Sequence, residues 1–302
     1  MLKKISAMML LLVFLLMLIY GNLNYDMSIH ALKIWFEKLV PSMFVIMVVV
    51  KLMFSQSILS WCTKPFAPIF SHVFHISKQS ISYVFAMMFL GFPSSAAFIN
   101  EQVKQGACLP QDAKRLILSC SFATPGFVIM TCGTVLYHSS TLGIWLFCIQ
   151  LLSGFILLFL SRSHDITSRQ TSAAPLPFMT SLKTSIIDSG KTLYLIGGYL
   201  MLCMSIGALL VQFLPIVLQM FLRIVIEFSS GSLLISSLPI SLRLQLALLS
   251  ALLSFGGFCV HLQVMCMCDA CALSYRKYFI CRILQAILSA SITYVFFPFF
   301  PS

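Results

Sequence analysis

Glu227 stands four residues after Arg223 in an apolar setting and is followed at once by Phe228-Ser229-Ser230-Gly231. On a helix that spacing puts both charges on one face, where they can pair. Charge inside an apolar span is costly and as a rule functional, so Glu227 either carries a coupling proton or cation or orders the chain around the serines. A second serine pair occurs in Gly91-Phe92-Pro93-Ser94-Ser95-Ala96, and two further breaks, Thr124-Pro125-Gly126 and Gly256-Gly257, interrupt other apolar runs. Interrupted membrane helices leave backbone N–H groups and a positive dipole end free to meet an anion. The hydroxyls of Ser94, Ser95, Thr124, Ser229 and Ser230 would add donors. His261 and Gln263 follow the last glycine pair, as a proton relay or as packed polar residues. With Gly126, Gly231, Gly256, Gly257 and Arg223, these are the candidate substrate-binding residues.

Other clusters point to less. Cys266, Cys268, Asp269 and Cys271, with Cys259 and His261 upstream, resemble a metal site but lack the second spaced pair that zinc usually takes. Asp188-Ser189-Gly190-Lys191-Thr192 mimics the end of a phosphate-binding loop, yet Ser185 stands where its first glycine belongs and an apolar run follows. No nucleophile, base and orienting group can be assembled, so no enzyme chemistry, metal or cofactor is expected. Asn100, Glu101 and Asp112 are expected in a solvated loop.

The elements that hold these residues are set by composition. Of 302 residues, 60% are hydrophobic and 9% charged, against about 25% charged in soluble domains, and the mean hydropathy is +1.00. Too few charges exist to coat a water-facing globule, so an all-α polytopic membrane protein embedded in a lipid bilayer is expected. The net charge of +11 is scattered between apolar runs, as topology signals are, and forms no face for nucleic acid. The cysteines lie mostly in apolar runs, where a thiol acts as a small hydrophobe.

Keeping every basic segment on the cytoplasmic side yields one topology. A first helix over residues 5–20 is followed by an outer loop at Gly21 to Ser28, and a second span covers residues 40–59. Tyr83 to Asn100 must then enter and leave on one side as a re-entrant hairpin. Spans at 116–136 and 141–161 lead to a basic cytoplasmic linker. In the second half come a span at 193–213, a hairpin at 215–237 entered from outside, and spans at 244–265 and 283–300, with Arg276, Lys277 and Arg282 in an inner loop. The halves repeat the same order in opposite orientation, the mark of an inverted-repeat transporter. The divisions are 1–28 (first helix and outer loop), 29–161 (first repeat), 162–190 (linker) and 191–302 (second repeat). The linker carries Arg169, Pro175 and Pro177, as a flexible connector or a docking segment would.

Four motifs carry a family resemblance: Gly91 to Ala96, Ala123-Thr124-Pro125-Gly126-Phe127-Val128, Glu227 to Gly231, and Gly256-Gly257-Phe258-Cys259-Val260-His261-Leu262-Gln263-Val264. In order, they resemble the motifs of the sporulation integral membrane protein YlbJ (SpoVV) family, among the nucleoside recognition, or Gate, domain proteins. Ser95 stands where that family's first motif has glycine, Ala97 where it has lysine, and Thr124 where the second motif has asparagine. The resemblance implies a fold similar to concentrative nucleoside transporters, with inverted repeats and two re-entrant hairpins. It also implies a place in the outer forespore membrane, made by the mother cell, and export of dipicolinic acid during spore maturation. The substrate would be a small anion moved with a proton, with sodium or alone, by a monomer or a homo-oligomer. The alternatives are a nucleoside or other metabolite carrier and a non-transporting scaffold for spore cortex assembly.

Overall fold

Long runs of Leu, Ile, Met and Phe can satisfy their backbone in an apolar surrounding only as helices. The computed structural model is all-helical over the residues it describes, 2–162 and 177–299. Five helices are long and apolar enough to cross a membrane: Gly21–Ser55, Ser140–Leu160, Phe178–Gln212, Leu242–Met267 and Tyr275–Phe296. Large apolar side chains such as Leu11, Phe14, Trp61, Val217 and Val295 point outward, as lipid-facing positions must. The architecture is that of a polytopic membrane protein.

Helix α1 (Leu2–Ile19) leads directly into α2 (Gly21–Lys33), which continues into α3 (Val40–Ser55) through a wider π turn over Ile34–Leu39. The outer loop expected at Gly21 to Ser28 is therefore helix. Nothing after Gly21 breaks the ladder, and the π turn falls just ahead of Pro41, whose missing N–H interrupts regular bonding. Short helices α4 (Ile58–Thr63) and α5 (Ala67–Phe74) occupy the proline-containing stretch that follows.

Four helix pairs then meet at breaks. Helix α6 (Ser80–Leu90) stops at Gly91 and α7 (Ser94–Lys104) restarts after Pro93. Helix α8 (Pro110–Ser119) gives way to non-helical backbone before a π-wound segment over Gly126–Leu136, and α9 (Ser140–Leu160) closes the first half. The second half opens with α10 (Phe178–Gln212). Helix α11 (Ile216–Ile226) is separated from α12 (Phe228–Ser236) by the extended residue Glu227. Helix α13 (Leu242–Phe255) meets α14 (Gly257–Met267) at Gly256, and α15 (Tyr275–Phe296) follows.

Two expected boundaries move. Helix α10 begins at Phe178, inside the stretch expected as linker, and carries Lys183 and Lys191 on its first turns rather than on a coil. Arg169 and Pro175 of that linker lie outside the described residues. Helix α15 begins at Tyr275, so Arg282 belongs to its interior and is fully buried, not in a solvated loop. Helix α15 packs along α13 and against α8 and α9, while α10 packs along α2 and α3.

Candidate functional site

The four breaks meet in space. Gly91 has φ +65°, and a Cβ there would fall 2.3 Å from the Thr124 methyl and 2.9 Å from its backbone nitrogen. The Phe92 N–H donates to the Phe122 carbonyl at 2.7 Å, which ties the first break to the second. In the second half, Gly257 has φ +78°, and a Cβ there would lie 3.1 Å from the Val225 and Ile226 carbonyl oxygens. Only glycine tolerates both the conformation and the approach. Aromatic rings join the halves: Phe228 stands edge-on to Phe92 at 5.4 Å and to Phe127 at 4.9 Å between centroids. A Cβ on Gly256 would be 3.2 Å from the Phe92 ring.

At the third break, Glu227 has extended backbone, φ −137° and ψ 119°, and is the N-cap of α12. Its carboxylate accepts the Ser229 N–H at 2.9 Å and the Ser230 N–H at 2.7 Å. A side-chain oxygen on the first free N–H groups is the ordinary device for starting a helix, worth about 0.5–2 kcal/mol, and here it is a charge on a positive dipole end. Arg223 and Glu227 do not share a helix face, because α11 ends at Ile226; both line one cavity, no ion pair joins them, and the carboxylate turns to its own helix instead.

Glu227, Ser229, Ser230 and Arg223 line a half-open cavity of about 350 Å³ that is bordered also by α2, α10 and the π turn. His30 and Lys38 line it too. The volume falls in the range of about 300–1,000 Å³ usual for small-molecule sites. The Ser229 and Ser230 hydroxyl oxygens are buried with no hydrogen-bond partner, and among the described residues no acid pairs with Arg223 or Lys38. Two cations, two unpartnered hydroxyls and a helix start thus face one space.

The remaining candidates lie elsewhere around the breaks. Ser94 donates to the Met47 sulfur at 3.4 Å, and the Ser95 hydroxyl is buried without a partner. The Thr124 hydroxyl accepts the Phe127 N–H at 3.2 Å, and Gly126 opens the π-wound segment. Gly231 brings α12 against α11, where a Cβ would be 2.3 Å from the Ile224 carbonyl. His261 donates from Nε2 to the Phe255 carbonyl at 3.0 Å, closing the end of α13 within a cage that includes Phe255, Phe258 and Tyr278. Gln263 reaches the Ile196 carbonyl at 3.5 Å and so fastens α14 to α10. None of these seven lines the α12 cavity.

Residues that the sequence had not singled out build a second polar region. Tyr278, Arg282, Gln285, Ser289 and Thr293 are all fully buried along one face of α15. Arg282 donates to the Ser121 carbonyl at 2.7 Å and the Leu118 carbonyl at 2.5 Å, so it closes the C-terminal end of α8. Gln285 donates to the Gln150 carbonyl and the Ser153 hydroxyl at 3.2 Å each, Ser289 bonds Ser153 at 2.8 Å, and Ser254 lies 2.6 Å from Ser289. The signal was present as polar residues every three or four positions in an apolar helix. His30 and Lys38 gave no such signal, since they fall between the expected outer loop and the second span.

Asn100 also departs from expectation. It is 5% exposed within α7, donates to Asp269 at 2.5 Å and accepts the Ala270 N–H at 2.9 Å. Lys104 adds an ion pair to Asp269 at 3.0 Å. Asn100 first and Lys104 second hold the Asp269 carboxyl below its usual range. No group of three or more metal-binding side chains occurs among the described residues.

A chain that is all-helical over its described residues, with five helices there long and apolar enough to cross a membrane, is an integral, multi-pass membrane protein. It is similar to the sporulation integral membrane protein YlbJ of Bacillus subtilis (strain 168), at 22% identity over 310 residues, covering 88% of this chain and 76% of that protein. No family model and no solved structure matches the chain.

Proposed function

We propose that the protein is a secondary carrier of a small anionic metabolite and that the α12 cavity is its binding site. The observation that carries this reading is the cavity's make-up: Arg223, Lys38 and the Glu227-capped start of α12 with Ser229 and Ser230 line one half-open space. Such a set favours anions over neutral solutes, because each group offers positive charge or a donor. The breaks favour movement. Non-helical backbone at membrane depth is tolerated where it is buried in protein or lines a wet cavity, and the described halves follow one order: broken pair, broken pair, closing helix. That order supports inverted repeats with α6–α7 and α11–α12 as re-entrant hairpins.

The substrate proposed is dipicolinate, a planar dianion, exported across the outer forespore membrane during sporulation. The similarity to a sporulation protein supports the setting, and the two cavity cations suit the charge. Uptake of labelled dipicolinate into liposomes holding the purified protein tests the reading. Saturable uptake, lost in Arg223→Gln with Ser229→Ala, is the expected result. Competition by nucleosides would identify a nucleoside carrier instead. Absence of uptake under proton and sodium gradients, in folded protein, would favour a scaffold for cortex assembly.

A further inference from the structure

One of the protein's own carboxylates occupies the best anion position in the proposed site. Glu227 is 3% exposed, faces no paired cation, and takes both free N–H groups at the start of α12. A substrate carboxylate drawn in by Arg223 and Lys38 would need those donors, and two carboxylates cannot both hold them. We infer that binding of an anionic group displaces the Glu227 carboxylate from Ser229 and Ser230, and that the displaced carboxylate takes a proton from solvent to become a neutral carboxyl. One O–H bond forms at Glu227 as one O–H bond of a solvent hydronium ion breaks and leaves water, so one proton enters the site with each such group. The inference rests on the anion-carrier reading and adds its coupling.

Three observations favour displacement over simple addition. First, the Ser229 and Ser230 hydroxyls are buried beside the cavity without partners, so donors remain for an arriving anion once the carboxylate leaves. Second, the cap is formed by an extended single residue between two helices, a joint that can turn without unwinding either. Third, charge matches only in one state. Arg223 and Lys38 against an ionised Glu227 leave a formal charge of +1 facing the cavity, and a protonated Glu227 leaves +2, which balances a dianion. The groups that face Glu227 are Arg223 from α11, His30 from α2, Lys38 from the π turn, and the thiols of Cys203 on α10 and Cys259 on α14.

Calorimetric titration of the full-length protein with dipicolinate, in buffers of different ionisation enthalpy between about pH 5 and 8, counts the protons. The wild type is expected to take up about one proton per dipicolinate, with affinity rising up to about tenfold per unit fall in pH. Glu227→Gln is expected to bind with no proton uptake and no slope. His30→Gln binds more weakly and keeps the slope. Wild-type binding without proton uptake overturns the inference and leaves the carrier reading intact, as does uptake that persists in Glu227→Gln or vanishes in His30→Gln. A wild type that binds no dipicolinate at any pH overturns both.

Discussion

The α15 seam and the α12 cavity both carry polar side chains through an apolar surrounding, and they differ in where those polar atoms point. Along α15, Arg282 and Gln285 donate to main-chain carbonyls of α8, α9 and the segment after α8, and Ser289 joins serines of α9 and α13. Every one of these side chains is fully buried, and each makes at least one bond to a neighbouring helix or the segment after α8, although Arg282 Nε and Gln285 Oε1 are themselves unpartnered. Around α12, Arg223 and Lys38 have no acid partner among the described residues, two serine hydroxyls are unpartnered, and about 350 Å³ of space adjoins them. Polar groups in an apolar medium are costly when unmet. Those whose partners are carbonyls of neighbouring helices hold the bundle together, and those that keep spare donors beside a void are fit to receive a solute.

That contrast breaks most visibly at Arg282. Replacement by Met removes the donors to two buried carbonyls, each worth about 1–3 kcal/mol when left unmet, and a large fall in melting temperature with loss of folded protein is expected. A variant that melts like wild type would remove the seam's structural role. At the cavity the expectation reverses. Arg223→Gln should leave the melting temperature within about a degree or two, since exposed substitutions rarely exceed about 0.5 kcal/mol. Dipicolinate uptake in liposomes should fall by about tenfold or more, as loss of a charge-assisted contact worth about 1.5–3 kcal/mol requires.

Smaller effects sharpen the boundary between the regions. Gly257→Ala should cost about 1–3 kcal/mol in denaturant unfolding, because alanine is strained at φ +78° and its Cβ would crowd the Val225 and Ile226 carbonyls. An unchanged midpoint would mean the third and fourth breaks are not pressed together. Ser289→Ala should cost about 1 kcal/mol through its bonds to Ser153 and Ser254, with uptake unaltered.

The smallest effect concerns the tie at Asn100. The Asp269 carboxyl is held below its usual range in the folded state, so its contribution is present above the unfolded value and is lost as pH falls through the folded one. Hydrogen exchange at the Ala270 amide, which Asn100 protects, should quicken only below about pH 4. Faster exchange already at neutral pH would show that Asp269 does not steady Asn100.

Much of this was legible in the sequence, because hydrophobic runs and helix breakers act locally. Apolar composition required a helical membrane protein, and glycine and proline marked three of the four breaks, since positive φ and missing N–H groups are properties of single residues; the third falls at extended Glu227, with Gly231 inside α12. The serine pairs and Glu227 were found the same way. What local reasoning missed is long-range. Gly21 to Ser28 read as a loop because it is polar, yet it is helical and belongs to a helix that packs on α10, where Leu23 and Met27 line a cavity. Arg282 read as a topology signal because its partners, Leu118 and Ser121, are more than 150 positions away.

The pairing of Arg223 with Glu227 shows where the division falls. Their spacing would give a shared face on a continuous helix, but α11 ends before Glu227. Only the folded chain decided that the carboxylate turns to the Ser229 and Ser230 N–H groups, because extended backbone at Glu227 starts a new helix within its reach. Residue type and spacing set which groups can interact; which of several partners each one takes depends on what tertiary packing brings close and shields from water.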